Sequence, residues 1–195
     1  MLVLASGSPQ RRAILEQLGI EFRAVVPEVE ELAQGDPRDL VVENARRKAR
    51  SVEGELVLGA DTAVALDGRV YGKPTDEDQA RSFLERLAGR SHEVHGGICL
   101  RDGDAERTAH AVTAVAFRAL DVSDIDCYLA SGEWRERAGA YAIQGRGAAL
   151  VEAVDGDYLN VVGLAVSTLV ALAPDLVSAA AASPGTGPPG GYRSP

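Results

Sequence analysis

Residues 2–18 read LVLASGSPQRRAILEQL, and this stretch decides how the N-terminal half of the chain folds. The apolar run at residues 2–5 is typical of a buried strand. Ile14, Leu15 and Leu18 follow at the spacing of one helix face. The sequence therefore predicts a strand that passes through a short loop of small residues into a helix, the connection expected in an α/β protein.

The predicted helix has clear ends. Ser8 suits the N-cap, Pro9 suits the first helical position, and Gly19 suits the turn that closes the helix. Arg11 and Arg12 then fall in the first turn, where the helix dipole disfavours a cation by roughly 0.3–1 kcal/mol. Either a bound phosphate compensates for this placement, because a helix N-terminus attracts anions, or the two arginines are simply solvated.

The composition limits the class of protein. With 195 residues, 46% of them hydrophobic, the chain can form one domain with a good core. Its net charge of −9 argues against nucleic acid or an anionic membrane as the main partner. Two distant cysteines, Cys99 and Cys127, are typical of reduced core residues. With no leader pattern and no apolar run of membrane length, these features predict a cytoplasmic protein.

Lysine is rare in this chain. Of 20 basic residues, only Lys48 and Lys73 are lysines. Because the compact ammonium and the wide guanidinium fork are not interchangeable, a lysine that persists among so many arginines indicates a site that needs the ammonium.

The next elements bring polar groups toward one place. A strand is predicted at 22–26, followed by a helix at 37–50 that puts Asn44 and Lys48 on one face. Apolar runs at 56–60 and 63–66 flank Asp61. We expect Asp61 at the carboxyl end of a buried strand, where open α/β sheets bind ligands.

The second half of the chain mixes hairpins and helices. Sequence patterns predict helices starting at Thr75, capped by Ser123, and spanning residues 164–172. They also predict strands at 92–100, 109–117, 151–154 and 158–162, the first two joined by a rather long loop, with a strand-like, glycine-rich segment between residues 138 and 150. The expected class is α/β, with a mixed, twisted central sheet, helices on both sides and a cleft between two lobes. One domain is predicted at 1–177, and a disordered tail rich in Ala, Ser, Pro and Gly at 178–195.

The polar residues indicate nucleotide chemistry. Serines and arginines at a helix start suit phosphate, and carboxylates at Glu30, Glu31 and Asp61 suit a hard divalent cation. The chain has no P-loop and no GxGxxG after a strand, so the common nucleotide-binding motifs are excluded. It also has no GxSxG and no HExxH, which excludes the common serine-hydrolase and zinc-protease motifs.

Five ordered segments resemble the Maf family of nucleoside triphosphate pyrophosphatases. They are LASGSPQRRAIL, NARRKA, GADTAVALDGRVYGKP, AGAYAIQGRGA and GDYLNVVGL. The resemblance as a whole runs from residue 2 to about residue 172. The resemblance implies an α/β fold of the Maf/ITPase type with a central cleft, often a homodimer, and metal-dependent hydrolysis of a nucleoside triphosphate to the monophosphate and pyrophosphate.

The resemblance also implies roles for single residues. The phosphate-binding loop falls on Ser6, Ser8 and Arg11, with Arg12 beside it as a further candidate for substrate binding. The catalytic set falls on Glu31, Lys48, Asp61 and Lys73, of which Glu31 and Asp61 would hold Mg²⁺ or Mn²⁺. Both lysines of the chain thus coincide with lysines of the family.

The segments around Thr62 and Gln144 resemble the subgroup that acts on dTTP and UTP. The Gln144 amide can donate and accept, as the O4 and N3–H edge of such a pyrimidine requires. Three residues depart from the subgroup: Gln10 for Arg, Gly96 for Thr and Ala165 for Pro. Alternatives left open are hydrolysis of 7-methyl-GTP or other modified nucleotides, and a nucleotide-binding inhibitor of septum formation.

Overall fold

The computed structural model describes residues 1–182 of the chain, which form a seven-stranded mixed sheet with helices packed on it. The strands pair in the order β2-β1-β3-β5-β6-β7, and β4 pairs with part of β3. Their bounds are β1 Leu2–Ala5, β2 Phe22–Val25, β3 Leu56–Leu66, β4 Arg69–Tyr71, β5 Ser91–Asp102, β6 Ala105–Phe117 and β7 Val151–Asp155. The predicted α/β class is confirmed.

Within residues 1–182, seven α-helices accompany the sheet. Their bounds are α1 Pro9–Gln17, α2 Pro37–Arg50, α3 Glu77–Leu87, α4 Val122–Ala130, α5 Tyr158–Val162, α6 Val166–Leu172 and α7 Pro174–Ala182. Two short 3-10 turns lie at Ala138–Ala140 and Gly145–Leu150. No helix in residues 1–182 is both long and apolar enough to cross a membrane.

Helices pack on both faces of the sheet, as predicted, and the side chains of β1 point alternately to the two faces. Leu2 and Leu4 pack with Leu15 of α1 on one face. Val3 and Ala5 pack with the alanines of α2 on the other face. A separate apolar cluster joins α3 and α4 to the far ends of β3, β5 and β6 and forms a second lobe. The candidate site lies between these cores.

One edge of β3 is open at its centre. β1 pairs in parallel with β3 only as far as Ala5 opposite Gly59, and β4 pairs with it only from Val64 onward. Within the described chain, residues 60–63 therefore have a strand partner on one side alone. Asp61 lies inside this gap, in the middle of β3, so the predicted position at the end of a strand is wrong. It still lies just beyond the carboxyl end of β1, at the edge where a ligand is expected.

Two glycines allow α2 to lie directly on the sheet. A Cβ at Gly59 would be 2.1 Å from the carbonyl oxygen of Ala45, and one at Gly97 would be 2.2 Å from that of Val41. Both carbonyls belong to the backbone of α2. Any side chain at either position would lift the helix, so these glycines set the height of Asn44 and Lys48 over β3.

Several predicted boundaries are wrong for local reasons. Asp76 caps α3 by accepting from the Gln79 amide, so that helix starts two residues later than predicted. Asp121 caps α4 in a capping box with Asp124, and Ser123 lies inside the helix. Aspartate outcompetes the hydroxyl residue as cap in both cases because its carboxylate also interacts favourably with the helix dipole.

The predicted strand at 158–162 is helix α5 instead. Asp157 accepts from the amides of Leu159 and Asn160 and starts a helical turn in spite of the β-branched valines. The glycine-rich segment before β7 forms 3-10 turns where strand was expected. The β5–β6 hairpin is tighter than predicted, since only residues 103 and 104 connect the strands.

The C-terminal boundary and one cysteine also differ from expectation. Helix α7 runs to Ala182, so the predicted tail begins in helix at 178–182, where alanine favours helix most strongly. The rest of that tail, 183–195, lies outside the described residues. Cys99 is buried as predicted, whereas Cys127 is exposed on α4 and is no core residue.

We expect Gly59→Ala to lower the free energy of unfolding by about 1–3 kcal/mol, the usual cost of overpacking, because its methyl group meets the backbone of α2. Urea denaturation measures this cost. Gly72→Ala is the matched control, since a Cβ there meets nothing within 4 Å, and it should change the value by less than about 0.5 kcal/mol. Equal effects of the two substitutions would contradict the close approach of α2.

Candidate active site

Asp61 is held from α2 through both of its carboxylate oxygens. Lys48 Nζ lies 2.7 Å from Oδ1, and Asn44 donates its amide N–H to Oδ2 at 3.0 Å. Asn44 and Lys48 are one helical turn apart, so a single face of α2 supplies both donors. The side chains of Lys48 and Asp61 are only 6% and 9% exposed, so this is a buried ion pair.

Glu31 completes the group from the loop that precedes α2. Its carboxylate lies 2.9 Å from Lys48 Nζ and is about half exposed. The loop is fixed beside it, because Asn44 accepts from the Leu32 amide at 2.7 Å and donates to the Leu32 carbonyl at 3.0 Å. Two carboxylates therefore flank one ammonium.

Arg11 lies across β3 from this group and is buried. Its guanidinium donates to the Gly163 carbonyl at 2.8 Å, to Ser6 Oγ at 3.2 Å and to Thr62 Oγ1 at 3.1 Å. Burial lowers the pKa of Arg11, and the charges of Asp61 and Glu31 oppose that shift. Arginine stays protonated in proteins, so this buried positive charge forms its hydrogen bonds within residues 1–182 to neutral oxygens only.

The serine loop before α1 is built around the same point. Ser8 caps the helix by accepting from the Arg11 amide at 3.4 Å, and Ser6 Oγ accepts from the Ser8 amide at 3.2 Å. Ser8 Oγ in turn donates to Oε1 of Gln10, one of the three residues that depart from the subgroup, at 3.1 Å. Arg12 is exposed and makes no hydrogen bond or ion pair with these groups in residues 1–182.

The other two predicted residues lie apart from this cluster. Lys73 follows β4 and pairs with Glu136 at 2.9 Å, both side chains being well exposed. The backbone amide of Gly139 donates to the Gly72 carbonyl, which ties the Lys73 loop to the segment that leads to Gln144. Gln144 itself is exposed. The structure thus brings Glu31, Lys48 and Asp61 together and leaves Lys73 and Gln144 facing solvent.

The histidines belong to other parts of the sheet. Burial lowers the pKa of His92 to about 4, so it is neutral where its Nε2 meets the Tyr141 hydroxyl at 2.9 Å. His95 and His110 bond to each other at 3.0 Å. Residues 1–182 contain no group of three or more His, Cys, Asp or Glu side chains placed to hold a metal ion. Glu31 and Asp61 are the carboxylates of this site that could supply oxygen ligands to a cation.

Sequence reasoning missed three partners of the predicted site residues. Asn44 was recognised only as a neighbour of Lys48, although the i, i+4 spacing was the signal for it. The Gly163 carbonyl carries no signal, because a backbone acceptor can belong to any residue. The backbone of Glu136, the partner of Lys73, has φ +59°, a left-handed conformation that no sequence pattern predicts.

The structure explains why glycine occupies position 96, one of the departures from the subgroup. A Cβ there would lie 1.9 Å from Oδ1 of the buried Asn160.

Comparison with known proteins gives a consistent result. The family model described as Maf-like protein matches residues 1–176. A dTTP/UTP pyrophosphatase of Symbiobacterium thermophilum is 50% identical over 169 residues, covering 84% of this chain and 87% of that protein. One of Thermus thermophilus is 48% identical over 172 residues, covering 88% and 92%. The solved structure of the Staphylococcus aureus Ham1 protein covers 60% of this chain and 71% of its own at 15% identity and a TM-score of 0.43, and adds nothing to the fold described above.

We expect Asn44→Ala to lower the free energy of unfolding by about 1–3 kcal/mol, because it leaves a buried carboxylate oxygen and the Leu32 backbone groups without their partner. Thermal or urea unfolding measures the difference. Glu43→Ala on the same helix removes only surface ion pairs with Arg46 and Arg47, and we expect a change within about 1 kcal/mol. A larger effect at Glu43 than at Asn44 would be inconsistent with the network.

Proposed function

The chain belongs to the Maf family, and from this premise we propose that it hydrolyses nucleoside triphosphates, above all dTTP and UTP, to the monophosphate and pyrophosphate. Relatives that are 48–50% identical over most of their length carry the name dTTP/UTP pyrophosphatase. The activity transferred from them is hydrolysis of a phosphoanhydride bond.

The observation that carries the proposal is the buried guanidinium of Arg11. All of its hydrogen-bond partners in residues 1–182 are neutral oxygens, and burial disfavours its charge. A phosphate group beside it would supply the missing negative charge and accept the N–H groups still free, in the bidentate manner that arginine favours. The N-terminus of α1 adds backbone amides and its dipole at the same point.

Glu31 and Asp61 are suited to share a divalent cation with that phosphate. Mg²⁺ and Mn²⁺ prefer oxygen ligands, and Mg²⁺ is usually held by one or two carboxylates together with substrate phosphates and water. Each carboxylate keeps lone pairs beyond those engaged with Lys48 and Asn44. A cation bound there would supply charge neutralisation on the triphosphate and a lowered pKa for a bound water.

The position of each residue then sets its role in the reaction. Asp61, fixed at both oxygens, orients a water for attack on the α-phosphorus and accepts its proton. Arg11 and Lys48 hold the triphosphate and offset the charge that builds on its oxygens. Lys73, on an exposed and flexible stem, is free to leave Glu136 and neutralise the departing pyrophosphate. Such exposed ion pairs are worth at most about 1 kcal/mol, so this exchange costs little.

Thr62 and Gln144 are the further substrate-binding residues, and base selection is assigned to Gln144. Thr62 Oγ1 accepts from Arg11 and lies next to Asp61, so it connects the phosphate loop to the catalytic strand. Gln144 presents its amide to solvent, where a base could approach it. Arg12, predicted as a substrate ligand, is exposed and free to reach an outer phosphate or the base.

We expect the protein to release pyrophosphate from dTTP and UTP faster than from CTP or 7-methyl-GTP when Mg²⁺ or Mn²⁺ is present. Asp61→Asn should lower kcat by at least about 10²-fold, the usual contribution of a general base. Asp104→Asn, an exposed change of the same type in the β5–β6 turn, should leave the rate unchanged. The unfolding midpoints of both variants show whether a lower rate comes from lost catalysis or from a destabilised fold.

Three results would overturn parts of this proposal. A preference for 7-methyl-GTP would replace the pyrimidine assignment with one for modified nucleotides. Tight nucleotide binding with no pyrophosphate released would favour the inhibitor of septum formation. Full activity in a folded Asp61→Asn variant would remove Asp61 from its proposed role.

A further inference from the structure

The loop that carries Gln144 is held by a carboxylate from another segment. Glu133, just after α4, accepts from the Arg146 amide through both oxygens, at 3.2 and 2.9 Å. The same carboxylate accepts from the Gly147 amide at 3.4 Å. These amides lie at the start of the second 3-10 turn, where backbone N–H groups point outward and attract an anion.

Glycine makes this contact possible. Gly145 has φ +81°, and a Cβ there would lie 3.0 Å from both oxygens of Glu133. A Cβ at Gly147 would lie 1.9 Å from the Ala142 carbonyl, so the chain doubles back tightly between these two residues. Gln144 therefore lies near the tip of a narrow loop, and Glu133 holds the segment that follows Gln144 in this loop.

The segment that precedes Gln144 is held by uncharged aromatic side chains. The Ala142 amide donates to the Tyr128 hydroxyl at 3.0 Å, and burial raises the pKa of Tyr128 to about 12, which keeps that hydroxyl uncharged. The Tyr141 hydroxyl meets the buried imidazole of His92. Glu133 thus provides the one charged anchor among these contacts, and it touches the residues directly after Gln144.

We infer that Glu133 is a positioning residue for base selection, acting through Gln144. This inference rests on the proposed function. A primary amide presents a donor and an acceptor side by side, so a mobile glutamine can turn over and pair with the edge of uracil or with the reversed edge of cytosine. The amide turns over by rotation within its own side chain, so one orientation is favoured only where the loop holds that side chain in fixed surroundings, and Glu133 constrains the backbone of this loop.

The test compares Glu133→Gln with Glu152→Gln, an exposed change of the same type on β7. We expect Glu133→Gln to lower kcat/KM for UTP about tenfold, chiefly through KM, and to change that for CTP by less than about threefold. The ratio between the two substrates then falls. Glu152→Gln should keep the ratio of the unchanged protein.

A second comparison separates positioning from a merely structural role. If Glu133 acts through Gln144, then Glu133→Gln in a Gln144→Ala background should change the UTP/CTP ratio by less than about twofold, because coupled residues are not additive. A purely structural role would lower the ratio, or the rates for both substrates, to the same extent in either background.

Amide hydrogen exchange gives a readout that does not depend on activity. Glu133→Gln should speed exchange at Arg146 and Gly147 at least tenfold, and Glu133→Asp, which keeps the charge on a shorter stem, should give a smaller effect. Unchanged exchange would overturn the inference. So would an undiminished UTP/CTP ratio in Glu133→Gln, whereas an unaltered protein with no preference between the two substrates would overturn the base assignment as well.

Discussion

The arrangement of the molecule depends on how closely α2 approaches the sheet. With only hydrogen at Gly59 and Gly97 between helix and strands, Asn44 and Lys48 reach Asp61 with short, direct bonds. A buried ion pair tolerates little error, because losing one partner typically costs about 3–5 kcal/mol. The packing of two glycines against helix carbonyls is therefore what keeps a charged group stable inside the domain.

Two groups of opposite character meet on neighbouring residues of β3. Asp61 faces α2 and its donors, whereas Thr62 faces the buried guanidinium of Arg11 on the other side. Because successive strand residues point to opposite faces, one peptide unit joins the carboxylate group to the group around the Arg11 guanidinium. The charges of Asp61 and Glu31 also act on Arg11 across the strand, so the two groups stabilise each other before any substrate binds.

Sequence reasoning succeeded where the signal is local. The strand–loop–helix at the N-terminus, the Asp36 cap of α2 and the shared face of Asn44 and Lys48 all follow from spacing and capping. It failed where the structure depends on contacts that the local sequence pattern does not show. Asp157 turns a valine-rich run into α5, and the anchoring of Arg11 by the Gly163 carbonyl depends on residues 152 positions apart. Resemblance to a family supplied the roles, but not these contacts.

The opening in the edge of β3 has a consequence for solubility as well as for binding. Unpaired strand edges usually invite strands from other molecules. Here the free stretch is only residues 60–63, closed by β1 on one side and β4 on the other. A gap this short, with Ala60, Asp61 and Ala63 buried, gives no room for an incoming strand. The protein thus leaves part of β3 without a strand partner on one side and still offers no template for aggregation.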